Sequence, residues 1–161
     1  MFLFVINVSS YFNGLYYRIS IENNVPTYCD ESDESCIRVA PYNQSQANDI
    51  INMFPVTFYS EKSMITSLLS NWSNHQGTHM EIIGNSGLVH IEDIDAIGFV
   101  RDILIQMKEC DFNNGYVSIY THAYLRVGYK DYKKDLKNII KSIYSSLDKN
   151  FDLYDKIYEF C

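Results

Sequence analysis

Long apolar runs are missing from this 161-residue chain. The longest, Met1–Ile6, falls far short of the ~20 residues that cross a bilayer as a helix. It also lacks the basic start and small-residue cleavage site of a secretory leader, so the expectation is a cytoplasmic protein with no membrane partner. Proline and glycine are scarce, at three and seven residues, which excludes collagen-like repeats and Pro/Gly-rich linkers. With 47% hydrophobic and 20% charged residues, the composition excludes intrinsic disorder. The length fits one domain, 1–161, able to bury enough surface to fold without metal or disulfide.

Basic residues are also in short supply. The chain has 13 Lys and Arg against 20 Asp and Glu, a net charge of -7, which argues against a nucleic-acid partner, since phosphate neutralisation needs clustered Lys and Arg. The imbalance is uneven: residues 1–125 carry a balance of -9 and residues 126–161 a balance of +2. Its most acidic stretch is Asp30, Glu31, Asp33 and Glu34, with no basic residue among them. Cys-x-x-Cys pairs are absent, which excludes zinc ribbons and thioredoxin-type motifs. Cys29 and Cys36 could close a loop around the acidic stretch in an oxidising compartment, but without a leader all four thiols, including Cys110 and Cys161, are expected reduced. Lys outnumbers Arg nine to four. With abundant Ile, Asn and Tyr, this points to an AT-rich gene, as in many horizontally acquired bacterial genes and some viruses.

Periodicity supplies the fold class. Residues 1–8 read as a central strand, and 15–21 alternate across an Asn13-Gly14 turn. Residues 22–35 read as a loop, and 37–39 as a short strand. Helical spacing follows Ser45 up to Pro55, and again after Ser60, which is placed to cap Met64, Ile65, Leu68, Leu69 and Trp72 on one stripe. Segments 79–83 and 87–91 flank a Gly84–Gly87 turn. Glu92, Asp93 and Asp95 suit the start of a helix to about Glu109, with Ala96, Phe99, Val100, Ile103, Leu104 and Met107 as its core face. A strand over 116–127, a strong helix through Leu136, Ile140 and Leu147, and a short closing helix near 152–160 complete the chain. The expectation is α+β: a largely antiparallel sheet with four to five helices packed against it.

Catalytic motifs are missing too. His75 and His79 have helical i, i+4 spacing, and His90 could join them, but no Glu follows His75 as a zinc protease requires. Ser73, Asn74 and Gly77 are expected to break the helix there, leaving surface histidines. Cys110 with His122 can be drawn as nucleophile and base, but no nucleophile elbow supports the pair. No catalytic group, metal or cofactor is therefore expected, and a small enzyme or metal-binding protein using these residues is the alternative.

What the sequence does carry is a patterned surface. Along 116–127 the odd positions are apolar, and Tyr116, Tyr120, His122, Tyr124 and Arg126 share the other face. Either helices cover this face or it is a binding stripe, since Tyr and Arg supply much of the energy at protein interfaces. Lys130, Lys134, Lys137 and Lys141 line the polar side of the last helix. That side is either solvated or docks an acidic partner, including the acidic loop of a second copy in a homodimer. The acidic loop itself suits a basic cleft, where spaced carboxylates stand in for phosphates and steer association. Small size, acidity and a tyrosine-bearing face resemble, at the level of general character, bacterial toxin-immunity proteins. That resemblance implies a non-enzymatic inhibitor of a cognate basic toxin domain, plausibly a nuclease. Asp30, Glu31, Asp33 and Glu34 would steer it and Tyr120, His122 and Tyr124 anchor it, with Tyr116 and Arg126 on the same face. A second alternative, a viral protein that binds a host factor, shares the AT-rich signature and the tyrosine surface.

Overall fold

The computed structural model describes residues 29, 36–41, 48–84, 87–111, 115–126 and 133–161. The expected strands at 1–8 and 15–21 lie outside them, as does the acidic run from Asp30 to Glu34. Among the described residues the chain runs β1 (Cys36–Val39), α1 (Asn48–Met53), β2 (Thr57–Tyr59), α2 (Lys62–Gln76), β3 (His79–Ile83), β4 (Leu88–Ile94), β5 (Val100–Glu109), β6 (Tyr116–Leu125), α3 (Lys133–Lys149), a 3-10 turn (Leu153–Asp155) and β7 (Lys156–Ile157). The seven strands form one antiparallel sheet in the order β3-β4-β5-β6-β2-β7. β1 also lies against β6, on Thr121–Tyr124, beside the stretch Tyr116–Ser118 that pairs with β2. The domain is α+β, as the periodicity predicts, but the described residues hold three helices, two of them substantial, and not four to five.

One face of the sheet carries the core. Ile37, Val39, Phe58, Val89, Ile91, Ile103, Ile105, Val117, Ile119 and Ala123 meet Ile65, Leu69 and Trp72 of α2 and Leu136, Ile140, Ile143, Tyr144 and Leu147 of α3. These helix residues recur every three to four positions, so each helix buries a single stripe. Two polar contacts tie the layers. The Trp72 indole N–H donates to Ser142 Oγ at 3.0 Å, and the Tyr144 and Thr121 hydroxyls bond at 2.8 Å. Full burial pushes the Tyr144 phenol well above its ordinary value, although the bond to Thr121 works the other way.

Four local expectations need correction. The stretch 95–109 is not a helix: Val100–Glu109 is the inner strand β5, flanked by β4 and β6. Because Asp102, Ile103, Leu104 and Ile105 are all buried, both faces of this strand are covered, and its continuous apolar run imitates a helical stripe. The turn before it is fixed by Asp95, whose carboxylate accepts from the N–H groups of Ile97 and Phe99, both at 2.9 Å. Ser60 does not cap α2. Glu61 occupies that position without a side-chain bond, and the Ser60 hydroxyl donates to the Glu61 carbonyl. Helix α2 continues past Ser73 and Asn74, ending at Gly77 in the left-handed conformation that glycine tolerates best. The closing segment is one 3-10 turn and a two-residue strand, because the edge of β2 offers backbone partners there, with Thr57 opposite Ile157.

The β3–β4 turn falls where predicted. At Gly87, with φ +77°, a Cβ would stand 3.0 Å from the Met107 carbonyl oxygen. That carbonyl's residue donates its N–H to Gly87 O at 2.8 Å, so the close approach of two backbones excludes a side chain.

Candidate functional site

The sheet face away from the helices gathers most of the chemistry-bearing side chains. The register aligns Glu81, His90, Leu104, His122 and Arg38 in one row across β3, β4, β5, β6 and β1. The next row holds Glu92, Asp102, Tyr124 and Cys36. His90, Asp102, Leu104, His122 and Arg38 are buried, so the surface histidine expected at 90 is corrected to an interior one, and His122 lies on the covered part of its strand face.

A continuous ionic network runs through this face. His90 Nε2 lies 2.6 Å from Asp102 Oδ1, and its Nδ1 lies 3.1 Å from Glu81 Oε1. Arg126 grips the same Asp102 with both ends of its fork, Nε to Oδ2 at 2.7 Å and Nη2 to Oδ1 at 2.9 Å, and its Nη2 also bonds Glu92. Burial opposes charge on His90, but hydrogen bonds and attraction from Asp102 and then Glu81 outweigh it, raising its pKa above the ordinary 6.5. Burial likewise opposes the Asp102 carboxylate, and His90 and Arg126 overcome it, holding its pKa below the ordinary 3.8. With a carboxylate on each ring nitrogen, His90 is a buried imidazolium that donates twice. The arrangement braces the sheet and leaves no nitrogen lone pair to accept a proton.

A pH dependence follows. The His90 contribution to stability is fully present below its unfolded pKa near 6.5 and is lost as pH rises through its raised folded value. The Asp102 contribution is present above about 3.8 and is lost as pH falls through its lowered folded value. Thermal melts of wild type and His90→Gln from about pH 5 to about pH 9 should show a gap in Tm that narrows toward the alkaline end. A gap of constant width would mean that His90 is not charged in the folded protein.

Beside the network, His122 lies against a disulfide. Its Nδ1 is 3.9 Å from Cys29 Sγ and its Nε2 3.6 Å from Cys36 Sγ, and Cys29 and Cys36 are joined with their Cα atoms 5.7 Å apart. Cys110 is joined to Cys161, Cα atoms 5.6 Å apart. Both separations fall in the range a disulfide spans, so the expectation of four reduced thiols is corrected. The alternative pairing of Cys110 with His122 is not assembled: Cys110 is bonded to Cys161 at the end of β5, while His122 faces the other disulfide. Nor do His75, His79 and His90 meet. His75 is exposed in the last turn of α2, His79 is exposed at the start of β3, and His90 is enclosed by carboxylates.

Of the predicted binding residues, Tyr116, Tyr120, Tyr124 and Arg126 are half-buried and His122 is buried. Tyr116 packs edge-on to Tyr59 at 5.2 Å, Tyr120 lies 5.0 Å from Phe160, and Tyr124 lies 6.1 Å from His122. Asp30, Glu31, Asp33 and Glu34 are outside the described residues. On α3, Lys137 and Lys141 reach Asp49 of α1 at 3.4 and 3.7 Å, so these two lysines of the stripe meet an acid within the chain, while Lys130 lies outside the described residues. Sequence reasoning missed the network, whose only signal is a set of ionisable residues, His90 and Asp102 within strands and Arg126 just past the end of β6. It also missed a cleft of about 310 Å³ whose walls include Trp72, Gln76, Asp93, Arg101, Asp135 and Asn138. Arg101 and Asp93 form an ion pair there. Comparison with protein-family models, curated proteins and solved structures gives no match for this chain.

Proposed function

We propose that this protein is a non-enzymatic binding protein that neutralises a basic partner by contact, in the manner of toxin-immunity inhibitors. The observation that carries the reading is the stripe of half-buried tyrosines, Tyr116, Tyr120 and Tyr124, on one strand. Rings held by neighbours lose little side-chain entropy on binding, which suits them as anchors. His122 and Arg126 stand behind the stripe as support, and the Asp30–Glu34 carboxylates steer the partner. Two disulfides favour an oxidising compartment over the cytoplasm. A target met in that compartment then fits better than a cytoplasmic nuclease.

The test is capture of a partner by the tagged, oxidised protein at low and high salt, followed by kinetics with the purified pair. Reversing Asp30, Glu31, Asp33 and Glu34 to Lys should slow association at least about tenfold at low salt, with little change in dissociation. Tyr120→Ala with Tyr124→Ala should speed dissociation by about 30-fold or more. Capture of no stoichiometric partner at either salt, or rates unchanged in both variants, would overturn the reading.

A further inference from the structure

We propose that Cys29, Cys36 and His122 form a metal site for a zinc-class cation when the disulfide between the two cysteines is reduced. One sulfur from each cysteine and one imidazole nitrogen lie within 4.8 Å of one another, all on buried residues. Around tetrahedral zinc, with Zn–S of about 2.3 Å and Zn–N of about 2.0 Å, sulfur and nitrogen ligands stand roughly 3.5 Å apart. The 3.6 Å from Cys36 Sγ to His122 Nε2 already matches that separation. What has to change is the sulfur pair, which must open to roughly 3.7 Å and bring Cys29 Sγ, now 3.9 Å from Nδ1, round to Nε2; breaking the S–S bond releases it to do so. Two strands hold two of the three ligands: Cys36 opens β1, and His122 sits in the middle of β6, in the antiparallel register that pairs Cys36 with Tyr124. Arg38, buried and opposite His122 in that register, adds a positive charge near the thiolates. Two thiolates and one imidazole neutralise a divalent ion and leave its fourth position to water.

The two states exclude each other. A dithiol reductant supplies two electrons and two protons. The Cys29–Cys36 bond breaks to two thiols, and the reductant closes to its own disulfide. Binding of the cation then releases the two thiol protons to solvent as the thiolates and His122 coordinate. Cys29 and Cys36 are tied to each other in either case, by a covalent bond under oxidising conditions and by a metal under reducing ones.

The experiment titrates cobalt(II) into the full chain, reduced by a phosphine and compared with the oxidised protein. The reduced protein should take up one equivalent, with the visible bands of tetrahedral cobalt and a thiolate charge-transfer band, and zinc should displace it. The oxidised protein should show neither band. His122→Gln and Cys29→Ser should each weaken binding at least about tenfold, and Cys110→Ser with Cys161→Ser should leave it unchanged. X-ray absorption of the zinc-loaded reduced wild type, which needs no variant to fold, should give two sulfur neighbours with nitrogen and oxygen completing the shell. Absence of the bands, a shell without sulfur, or binding that survives loss of His122 would overturn the proposal.

Discussion

Asp102→Asn is expected to remove about 3–5 kcal/mol of folding stability, the cost of breaking a buried ion pair by deleting one partner. Asp102 is fully buried and serves both His90 and Arg126. Asparagine keeps the shape but not the charge, so it leaves an imidazolium and a guanidinium without the carboxylate between them. For a chain of this length each kcal/mol lowers Tm by about 2–4 °C, so melting should fall by roughly 6–20 °C. Replacing the network together, with His90→Leu, Asp102→Leu and Arg126→Met in one protein, should recover much of the loss, because apolar groups of similar size need no compensation. Glu81 and Glu92, with side chains 38% and 24% exposed, can then be hydrated. Urea unfolding measures all three proteins. A loss below about 1 kcal/mol for Asp102→Asn would put the network on the level of surface ion pairs.

The disulfides should contribute unequally. Cys110 and Cys161 are 51 residues apart, and Cys29 and Cys36 only seven. Loop-closure entropy in the unfolded chain gives about 4 kcal/mol for the first and about 2 kcal/mol for the second. Cys110→Ser with Cys161→Ser should therefore lower stability about twice as much as Cys29→Ser with Cys36→Ser, and both changes together should approach the effect of full reduction. Equal losses from the two pairs would mean that local strain or packing, and not chain entropy, sets their worth. Thiol titration of the unfolded protein without reductant should count no free thiol, and four after reduction.

The helices and β6 are legible because each has one apolar face set against a polar one. Leu136, Ile140, Ile143 and Leu147 recur at helical spacing on α3, and Val117, Ile119, Thr121 and Ala123 alternate on β6. The inner strand β5 was not legible as a strand. With Asp102 and Leu104 buried on one side and Ile103 and Ile105 on the other, alternation vanishes, and a helix fits the same letters. The network and the second disulfide were hidden for a different reason. His90, Asp102 and Arg126 meet through register, and Cys110 and Cys161 through the fold of the whole chain, and neither relation leaves a local pattern. The seven-residue gap between Cys29 and Cys36 was visible and permitted closure. The expectation of reduced thiols rests on a cytoplasmic compartment, and spacing alone does not report the compartment. Alternation places Tyr116, Tyr120, His122 and Tyr124 on one face of β6, but alternation alone does not say that His122 lies buried within it.

The way β6 is shared between β1 and β2 governs the order in which the sheet can be built. From β3 to β6 each strand pairs with its neighbour in the chain, so these hairpins close short loops at little entropic cost. β1 and β2 are made earlier, but their hydrogen-bonding partners on β6 come much later in the chain. They must wait for the meander to present its free edge, and β7 must wait in turn for β2. Folding speed is then set by these long closures and not by the local hairpins. Until they occur, the apolar residues of β1 and β2 are left in water, and this interval is when two unfolded copies have the best chance to pair with each other.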